Sequence, residues 1–407
     1  MIARPAIEYV YKIANPSNIQ TSSYLTPLKV SSAYNIPASN GAGVKVGIIS
    51  FGGGWQQSDL DLSMADMGLP SPTINQVLIG GATNNFSLND FSIENTLDIY
   101  CVAAIAPSAN IRIYIAPNNI SYLFDAVVRA KNDGCDIITI SWLSDEYPDF
   151  LPYESAWAEL ANQGITVLAA SGDYGSAEQD RTNKGVGYPA SSAYVSAIGG
   201  TTLIPYSSGG YTEYPSTGSG GGISSIFPRP SYQDGATYRT YDKNTRITGP
   251  VTALPRRGVP DFSAPMNGYA FYCGGSQIAV GGTSASAPVM AGMVARINAL
   301  TGKRQGLLNT KYYRTPSAFN DFSSGHNSLI FEGYAVTSAW DPVVGLGRPY
   351  GQSVYAIANG IIQKTKIKDT DGQWKTASNV FVKTQTLQWE PVKTIWLKTD
   401  SGWQQTY

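Results

Sequence analysis

Short runs of β-branched apolar residues alternate with stretches of helical spacing along the first half of the chain. The apolar runs are 44–50, 111–115, 137–140 and 165–170, and the helix-like stretches are 93–104, 122–132 and 154–162. Near-continuous apolar strands separated by helices predict an α/β fold, in which helices cover both faces of a parallel sheet. Chemistry in such sheets gathers at the carboxyl ends of the strands. Ser50, Ser141 and Asp173 stand at the ends of predicted strands, so we expect them at one edge of the sheet.

The chain carries few charges, and the two signs balance. Charged residues are 14% of the 407 residues, with 28 Lys and Arg against 29 Asp and Glu. This excludes the basic surface of a nucleic-acid binder or of a polybasic membrane-surface protein. The N-terminus lacks the apolar core of a signal peptide, and no apolar run approaches the ~18 residues of a membrane-spanning helix. We expect no nucleic-acid partner and no membrane insertion, and the low charge density favours an extracellular or virion-associated protein.

Histidine and cysteine counts exclude several kinds of site. The single histidine, His326, rules out zinc sites with several histidines and leaves one candidate base for a Ser-His-Asp triad. It lies in a turn-rich loop, where a surface histidine is the simplest interpretation. Cys101, Cys135 and Cys273 are far apart and odd in number, so we expect buried free thiols and no disulfide framework.

A glycine-rich turn places Ser284 where a helix begins. The segment Gly281–Pro288 reads GGTSASAP and precedes the apolar run VMAGMVARINAL. A serine in this position lies at the positive end of a helix dipole, which suits a nucleophile whose transition state gains negative charge. A serine at a helix start is more often only an N-cap. The extended segment nevertheless resembles the nucleophile segment of subtilisin-like peptidases.

Two acids could act as the general base, because the chain has no histidine upstream of Ser284, where a triad histidine usually lies. Glu94 and Asp98 are four residues apart on a predicted helix, so their side chains project from one face. Two close carboxyls repel, and the pair then holds a proton that it can accept from serine and return to a leaving amine. A solvated acidic face is the usual interpretation of such a spacing. The apolar neighbours of these acids favour a buried pair instead.

Further segments, taken in order, resemble the sedolisins, the serine-carboxyl peptidases. They are LTP at 25–27, AYNIP at 33–37, SGD at 171–173, YPASS at 188–192, GGTTL at 199–203, GGG at 220–222, FPRPSYQ at 227–233 and RGVPD at 257–261. The similarity covers about Tyr24 to Tyr355. It implies a subtilisin-like, doubly wound, mostly parallel sheet, and a protein or peptide substrate. In this family glutamate replaces the catalytic histidine, and aspartate replaces the oxyanion-site asparagine.

The resemblance also implies roles for single residues. Ser284 matches the nucleophile, Glu94 the general base, and Asp98 the acid behind that base. Asp173 matches the oxyanion-site aspartate, and Trp142 matches an aromatic residue near the acids. Asp173 must be protonated to donate a hydrogen bond to a developing oxyanion, which is a physical reason for activity at acidic pH. An ordinary core tryptophan remains an alternative interpretation of Trp142.

The family carries one structural calcium ion, and its ligand positions are present in this chain. Asp321 and Asp341 match the carboxylate ligands, and Phe322, Thr337 and Ala339 match the backbone-carbonyl ligands. The family usually has glycines where Thr337 and Ala339 stand. Carbonyl oxygens come from any residue, so the resemblance implies that ligation is retained.

The chain departs from the family at three places. Ser50 stands where several relatives carry a further glutamate, so we expect a shorter acid network. Tyr174 follows Asp173 where a serine is usual. The family is made with a long N-terminal pro-domain, for which the residues before Tyr24 leave no room. We therefore expect either a chain numbered from a processed form or one that folds without a pro-domain.

The last fifty residues follow a different pattern. Three units, each with an alternating apolar and lysine strand and a polar turn, carry Trp374, Trp389 and Trp403. They predict two or three β-hairpins in a small all-β repeat domain, similar to repeats at the ends of bacteriophage structural proteins. The predicted organisation is an N-terminal segment (1–23), a peptidase domain (24–356) and this repeat domain (357–407). The repeats either bind an assembly partner or only stabilise the chain.

The function predicted from these observations is that of a serine-carboxyl endopeptidase. It hydrolyses peptide bonds through an acyl-enzyme, at acidic pH. The alternative is a structural or attachment protein of a virion or surface assembly, built on a peptidase fold, in which proteolysis is secondary or lost. A subtilisin-type triad that uses His326 comes third, since a triad histidine usually precedes the serine.

Overall fold

The structure is a computed structural model of the chain. It describes residues 3–6, 9–13, 18–20, 23–206 and 209–360. Four short strands beyond residue 360 are also described, at Lys366–Lys368, Trp374–Thr376, Trp396–Thr399 and Gly402–Gln405. No helix of these residues is long and apolar enough to cross a membrane.

The described part of the chain contains eight α-helices and 27 strands. The helices are α1 (Pro27–Ala33), α2 (Gln57–Asp66), α3 (Asp90–Ile105), α4 (Leu123–Asn132), α5 (Glu154–Asn162), α6 (Thr283–Thr301), α7 (Asn309–Tyr312) and α8 (Gly351–Ala358). The strands of the first half are β1 (Arg4–Pro5), β2 (Tyr9–Lys12), β3 (Lys45–Phe51), β4 (Asn75–Leu78), β5 (Asn110–Ala116), β6 (Ile137–Ile140), β7 (Trp142–Asp145), β8 (Thr166–Ala170), β9 (Gly187–Tyr188), β10 (Ser196–Pro205) and β11 (Tyr211–Pro215). Those of the second half are β12 (Gly222–Pro228), β13 (Thr237–Tyr238), β14 (Thr240–Asp242), β15 (Ile247–Thr248), β16 (Thr252–Ala253), β17 (Arg256–Val259), β18 (Phe262–Pro265), β19 (Tyr269–Cys273), β20 (Ser276–Gly281), β21 (Phe319–Asn320), β22 (Gly333–Tyr334), β23 (Arg348–Pro349), β24 (Lys366–Lys368), β25 (Trp374–Thr376), β26 (Trp396–Thr399) and β27 (Gly402–Gln405).

An eight-stranded, mostly parallel sheet forms the centre of the protein. Its strands lie in the order β11, β10, β8, β6, β3, β5, β4, and β18 also pairs with β10. Every pairing is parallel except that of β10 with β11. The four predicted strands and the three predicted helices are all present, so the prediction of an α/β fold with a mostly parallel sheet is confirmed.

Helices cover both faces of this sheet, as two residues of β3 demonstrate. Successive side chains of a strand point to opposite faces. A Cβ atom on Gly47 would lie 3.4 Å from Ala130 of α4. On the other face, the hydroxyl of Ser50 contacts Asn95 of α3. Strand β3 therefore has α4 on one face and α3 on the other, as in a doubly wound sheet.

Helices α3 and α6 pack against each other and are almost wholly buried. Helix α6 also contacts β6, β8, β10 and β18 of the central sheet. Small residues allow the two helices to approach closely, since a Cβ atom on Gly292 would come within 2.6 Å of Ile105. This pair carries the predicted serine on one helix and both predicted acids on the other.

The described N-terminal residues pair with strands that lie within the predicted domain at 24–356. Strand β1 pairs antiparallel with β7, and β2 pairs antiparallel with β20. The sequence pattern predicted only a separate segment before residue 24. The strand partners lie more than a hundred residues away in the chain, so no local pattern could reveal them.

Beyond residue 360, the described strands form two antiparallel pairs. Strand β24 pairs with β25, and β26 pairs with β27. Trp374 and Trp403 lie in these strands, whereas Trp389 lies outside the described residues. The repeat domain at 357–407 stays a prediction.

Candidate active site

Ser284 lies in the first turn of α6, at the edge of the sheet where β6 ends. Gly282 precedes the helix with a φ of 147°, a conformation that L side chains rarely adopt. Ser284 is fully buried, and its Oγ donates a hydrogen bond to the carbonyl of Ser141 over 3.3 Å. The turn therefore presents the serine hydroxyl to the residue that follows β6.

Glu94 projects from α3 into the same buried space. It has no exposed surface, and neither carboxylate oxygen has a hydrogen-bond partner among the described residues. Burial raises the pKa of Glu94 well above its usual range, and the charge of Asp98 raises it further. The nearby hydroxyls of Ser284 and Ser141 oppose this rise in pKa. Their own hydrogen bonds go elsewhere, from Ser284 to the Ser141 carbonyl and from Ser141 to Asp98. Glu94 thus combines a high proton affinity with unused acceptor capacity.

Asp98 lies one helical turn after Glu94 and is equally buried. Its Oδ1 accepts a hydrogen bond from the Ser141 hydroxyl over 2.6 Å. Burial raises the pKa of Asp98 well above its usual range, while the Ser141 hydroxyl opposes the rise. Ser141 therefore contacts both the serine and the acid pair. Its role in the site was not predicted, and its position after a central strand was the only sequence signal.

Asp173 lies beside the start of α6. Its Oδ1 accepts hydrogen bonds from the backbone N–H of Thr283 over 2.7 Å and from the Thr283 hydroxyl over 2.8 Å. The preceding Gly172 has a φ of 111°, and a Cβ atom there would lie 2.6 Å from Gln179. The structure thus places Asp173 next to the residue that precedes Ser284. Thr283, which holds it, was missed by sequence reasoning.

Trp142 packs at the edge of the acid pair's helix. It is fully buried, and its ring lies 5.5 Å from that of Phe91 in α3 and 5.7 Å from that of Phe51 in β3. It therefore fixes the start of α3 against the sheet. These contacts agree with both interpretations, a residue near the acids and a core tryptophan.

Ser50 does not extend the acid network. Its hydroxyl contacts Asn95 Oδ1, and Asn95 Nδ2 donates to the carbonyl of Gly52 over 3.0 Å. Asn95 therefore links Ser50 to the glycine turn that follows β3. This agrees with the prediction of a shorter network.

The N-terminal strand crosses the site directly over Ser284. The backbone N–H of Ser284 donates a hydrogen bond to the carbonyl of Ala6 over 3.2 Å, and the Ala6 N–H donates to the carbonyl of Ser141 over 3.0 Å. Amides in the first turn of a helix lack partners within the helix, so this N–H is free to bind a carbonyl. The strand helps to exclude solvent from Ser284, Glu94 and Asp98.

His326 makes its contacts elsewhere. Its ring stacks on Tyr241 with the centroids 4.3 Å apart, and its Nδ1 accepts a hydrogen bond from the Ser328 N–H over 3.3 Å. These contacts give it no link to Ser284. The three cysteines are buried free thiols, as predicted.

Asp321 and Asp341, the predicted carboxylate ligands of calcium, bind the same loop. Asp321 Oδ2 accepts from the Ala339 N–H over 2.9 Å, and Asp341 Oδ2 accepts from the Thr337 N–H over 3.1 Å. Burial raises the pKa of the fully buried Asp341 to about 7, and the charge of Asp321 adds to the rise. Ala339 has a φ of 68°, the left-handed conformation for which glycine is usual. A bound cation would offset the cost of ionising the buried Asp341 next to Asp321, so the two acids suit a cation site.

A second acidic cluster, which was not predicted, consists of Asp145, Glu178 and Asp180. One carboxylate oxygen of each lies within 4.8 Å of those of the other two. This group could hold a metal ion. It lies beside the N-terminal strand, because Arg4 donates to the carbonyl of Gln179 over 2.8 Å.

Comparison with known proteins assigns the family. Residues 77–309 match the family model described as the subtilase family, and this range contains the four predicted catalytic residues. The chain belongs to the subtilase family.

Among relatives of this subtilase is kumamolisin from Bacillus sp. (strain MN-32), which is 37% identical over 356 residues. That match covers 80% of this chain and 62% of kumamolisin. A probable tripeptidyl-peptidase from Arthroderma benhamiae (strain ATCC MYA-4681 / CBS 112371) is 29% identical, over 74% of this chain and 58% of the relative. The subtilase thus spans about three fifths of the length of these relatives.

A solved structure similar to this subtilase is that of Pseudomonas sedolisin, a serine-carboxyl proteinase complexed with two molecules of pseudo-iodotyrostatin. It is 26% identical, with a TM-score of 0.70, and the match covers 84% of this chain and all of that one. The predicted subtilisin-like fold and the resemblance to serine-carboxyl peptidases are confirmed. The comparisons give no support for the resemblance of the C-terminal repeats to phage proteins.

Proposed function

We propose that this protein is a serine-carboxyl endopeptidase that works through an acyl-enzyme at acidic pH. The observation that carries the proposal is the buried Glu94 carboxyl, which has no hydrogen-bond partner among the described residues and lies near the hydroxyl of Ser284. A buried acid without a partner costs stability, and such groups concentrate at functional sites.

Ser284 attacks the substrate carbonyl, and Glu94 takes the hydroxyl proton. Glu94 and Asp98 form a coupled pair, which holds one proton between its two macroscopic pKa values. Glu94 then returns the proton to the leaving amine, and a water molecule hydrolyses the acyl-enzyme by the same route. The Ser141 hydroxyl, which donates to Asp98, orients the acid behind the base.

The oxyanion forms between Asp173 and the backbone N–H of Ser284. That N–H already binds a carbonyl oxygen, that of Ala6. Asp173 stabilises the negative charge only as a neutral acid, because an ionised carboxylate would repel it. The acidic optimum follows from this requirement.

Endopeptidase action is supported by the length of backbone that the cleft accepts. With the Ala6 carbonyl at the Ser284 N–H, three further residues precede it, and Ala3 at the far end is fully buried. A site that releases tripeptides has to end after the third residue. This cleft holds a fourth.

One calcium ion is the cofactor that we propose, held by the carboxylates of Asp321 and Asp341. Among the described residues, no backbone amide donates to the carbonyl oxygens of Phe322, Thr337 or Ala339, so these three are available as further ligands. Calcium prefers such all-oxygen sites and would supply the cation that the two acids lack.

The protein is proposed to act outside the cell on proteins or peptides. Residues 357–407 are proposed to bind an assembly partner. No observation favours a virion role. Size-exclusion chromatography of the full chain and of a chain that ends at Gly360 tests the assembly claim. An unchanged elution state would contradict it.

The activity is tested by incubating the purified protein with an unfolded protein between roughly pH 3 and pH 7, which spans ordinary and raised carboxyl pKa values. Cleavage at the acidic end that is lost in Ser284→Ala is the expected result. A His326→Ala variant is the matched control and should cleave normally. No serine-dependent cleavage anywhere in this range would overturn the proposal.

A further inference from the structure

Strand β1 lies along β7 as a bound peptide would. Its two residues pair antiparallel with β7, with Arg4 opposite Leu143. The carbonyl of Ala6, which follows β1, accepts from the Ser284 N–H over 3.2 Å. Addition of an extended segment to the edge of a strand is a common mode of peptide recognition. Counted back from Ala6, whose carbonyl lies at the candidate nucleophile, Arg4 is the third residue.

The guanidinium of Arg4 lies at the acidic cluster defined above. Its Nη1 donates to the carbonyl of Gln179 over 2.8 Å, and Gln179 stands between Glu178 and Asp180 in the chain. Hydrogen bonds from Thr182 lower the pKa of Asp180, and the positive charge of Arg4 lowers it further. A cation of this chain is thus placed where the cluster concentrates negative charge.

Hydrogen bonds within the protein fix the cluster independently of Arg4. Asp145 Oδ1 accepts from the Gln179 N–H over 2.6 Å, which connects the end of β7 to the loop after β8. Asp180 Oδ1 accepts from the N–H and the hydroxyl of Thr182 over 2.8 and 2.7 Å. A preformed site loses little conformational entropy on binding, so its charges can discriminate among ligands.

The next cation of this loop, Arg181, has a partner outside the cluster. Its guanidinium lies 3.9 Å from the centroid of the Tyr174 ring, and its Nη2 donates to the Tyr174 hydroxyl over 2.6 Å. A guanidinium is attracted to the face of an aromatic ring. Tyr174, which stands where the sedolisins usually have serine, therefore engages the cation that follows Asp180 in the chain.

The cluster also borders a space that suits a long basic side chain. A cavity of about 280 Å³ lies beside Arg4 and is lined by Asp145, Gln179 and Asp180. Gln179 is only 3% exposed, and its Oε1 has no hydrogen-bond partner among the residues that the structure describes. A guanidinium has five N–H donors and an ammonium three, so a basic side chain can bind both the carboxylates and this oxygen. An acidic side chain would add a fourth negative charge.

We propose that the cleft selects polypeptides with arginine or lysine as the third residue before the cleaved bond, and that the acidic cluster makes this selection. The inference rests on the proposed function and names the substrate class for that site. The cluster binds a side chain two residues before the one whose carbonyl reacts, so it takes no part in bond cleavage. Asp145, Glu178 and Asp180 are specificity-determining residues.

The test is to digest a random peptide library with the purified full chain at roughly pH 5, where ordinary carboxyl groups are ionised, and to map every cut by mass spectrometry. Arginine and lysine should be enriched, and glutamate depleted, at the third residue before the cuts. In peptides that differ only at that residue, kcat/KM should be about fivefold higher with arginine than with glutamine. Added salt should reduce this ratio, because it screens charges that are exposed to solvent.

Variants of the cluster separate this inference from the proposed function. Asp180→Asn keeps a hydrogen-bond acceptor but removes a charge, so it should lower the ratio of arginine to glutamine, and adding Asp145→Asn should bring the ratio close to one. Asp125→Asn, which removes an exposed acid of α4, is the control and should leave the ratio in place.

Cleavage without a preference at the third residue overturns this inference alone. A preference that survives the double substitution does the same, since the cluster would not be its cause. If the wild-type chain cleaves no peptide in a manner that depends on Ser284, the proposed function is overturned and this inference with it.

Discussion

The hydroxyl of Ser141 donates a hydrogen bond to Asp98 Oδ1 over 2.6 Å, and its backbone carbonyl accepts one from Ser284 Oγ over 3.3 Å. One residue at the end of a central strand thus connects the candidate nucleophile on α6 with the acid pair on α3. The relationship makes Ser141 a positioning residue for the acids.

Replacing Ser141 by alanine should shift the pH dependence of activity. The Ser141 hydroxyl opposes the rise in the pKa of Asp98, so its loss raises that pKa further. The acid pair then stays protonated to a higher pH, and the acidic limb of the kcat/KM profile should move upward. We expect kcat/KM to fall by about ten- to a hundredfold, since a hydrogen bond to an ionised acid is worth roughly 1.5–3 kcal/mol. Ser50→Ala removes a buried hydroxyl whose hydrogen bond is to the Asn95 amide oxygen, and it should leave the profile in place.

Glu94→Gln should abolish most of the activity without unfolding the protein. Glutamine keeps the shape of the side chain but cannot take the serine proton. General-base catalysis contributes about 10²–10⁴-fold, so kcat/KM on an unfolded protein substrate should fall by that factor. Circular dichroism should show an unchanged fold. Full activity in this variant would show that another group accepts the proton.

The stability of the protein should fall as the pH rises, and Glu94→Gln or Asp98→Asn should reduce that fall. Both acids have a raised pKa in the folded state because of burial. Below the pKa that these acids have in the unfolded chain, they are protonated in both the folded and the unfolded state, so their ionisation does not lower the free energy of unfolding. As the pH rises towards the folded pKa, the unfolded chain ionises first, and folding loses free energy.

This stability prediction is best measured as the Tm of the two acid variants in the Ser284→Ala background, where self-digestion is absent. At neutral pH each variant should melt a few degrees above its parent, and near pH 4 the difference should disappear. A lower Tm than the parent at neutral pH would mean that the charged pair stabilises the fold.

Arg257 and Asp261 form a buried ion pair whose loss should be costly. Two guanidinium nitrogens bind the two carboxylate oxygens over 2.6 and 2.8 Å, and the side chains are 0% and 1% exposed. Removing one partner leaves a buried charge unpaired, so Arg257→Met should lower the free energy of unfolding by about 3–5 kcal/mol. Urea denaturation measures this. The pair of Arg129 with Asp133, in which the arginine side chain is 52% exposed, is the control, and Arg129→Met should cost less than ~1 kcal/mol.

Calcium should raise the Tm through Asp321 and Asp341. An ion that binds only the folded state stabilises it by about 2.7 kcal/mol at a concentration 100-fold above its Kd. Calcium added after chelation should therefore raise the Tm of the wild-type chain but not that of Asp341→Asn. The variant Asp145→Asn, in the other acidic cluster, separates the two sites. If it alone abolishes the response, the calcium binds beside Arg4 instead.

The elements of the central sheet were predictable because their signal is local. The run 137–140 is strand β6, and the stretch 154–162 is helix α5, each with the predicted bounds. Helix α3 begins at Asp90, three residues before the predicted start, because Asn89 caps it by accepting from the Ser92 N–H. The first turn of this helix is therefore set by the capping hydrogen bond and not by the apolar spacing on which the prediction depended.

The sequence by itself determined the alternating α/β order, the serine at a helix start and the two acids one helical turn apart. These features depend on periodicity and on spacing within one element. Only the tertiary structure decided that Ser141 links them, that Thr283 holds Asp173, and that the Ala6 carbonyl lies against the Ser284 N–H. Each of these contacts joins residues far apart in the chain. It forms because the packing of α3, α6 and the sheet brings the groups together, and no local pattern records that.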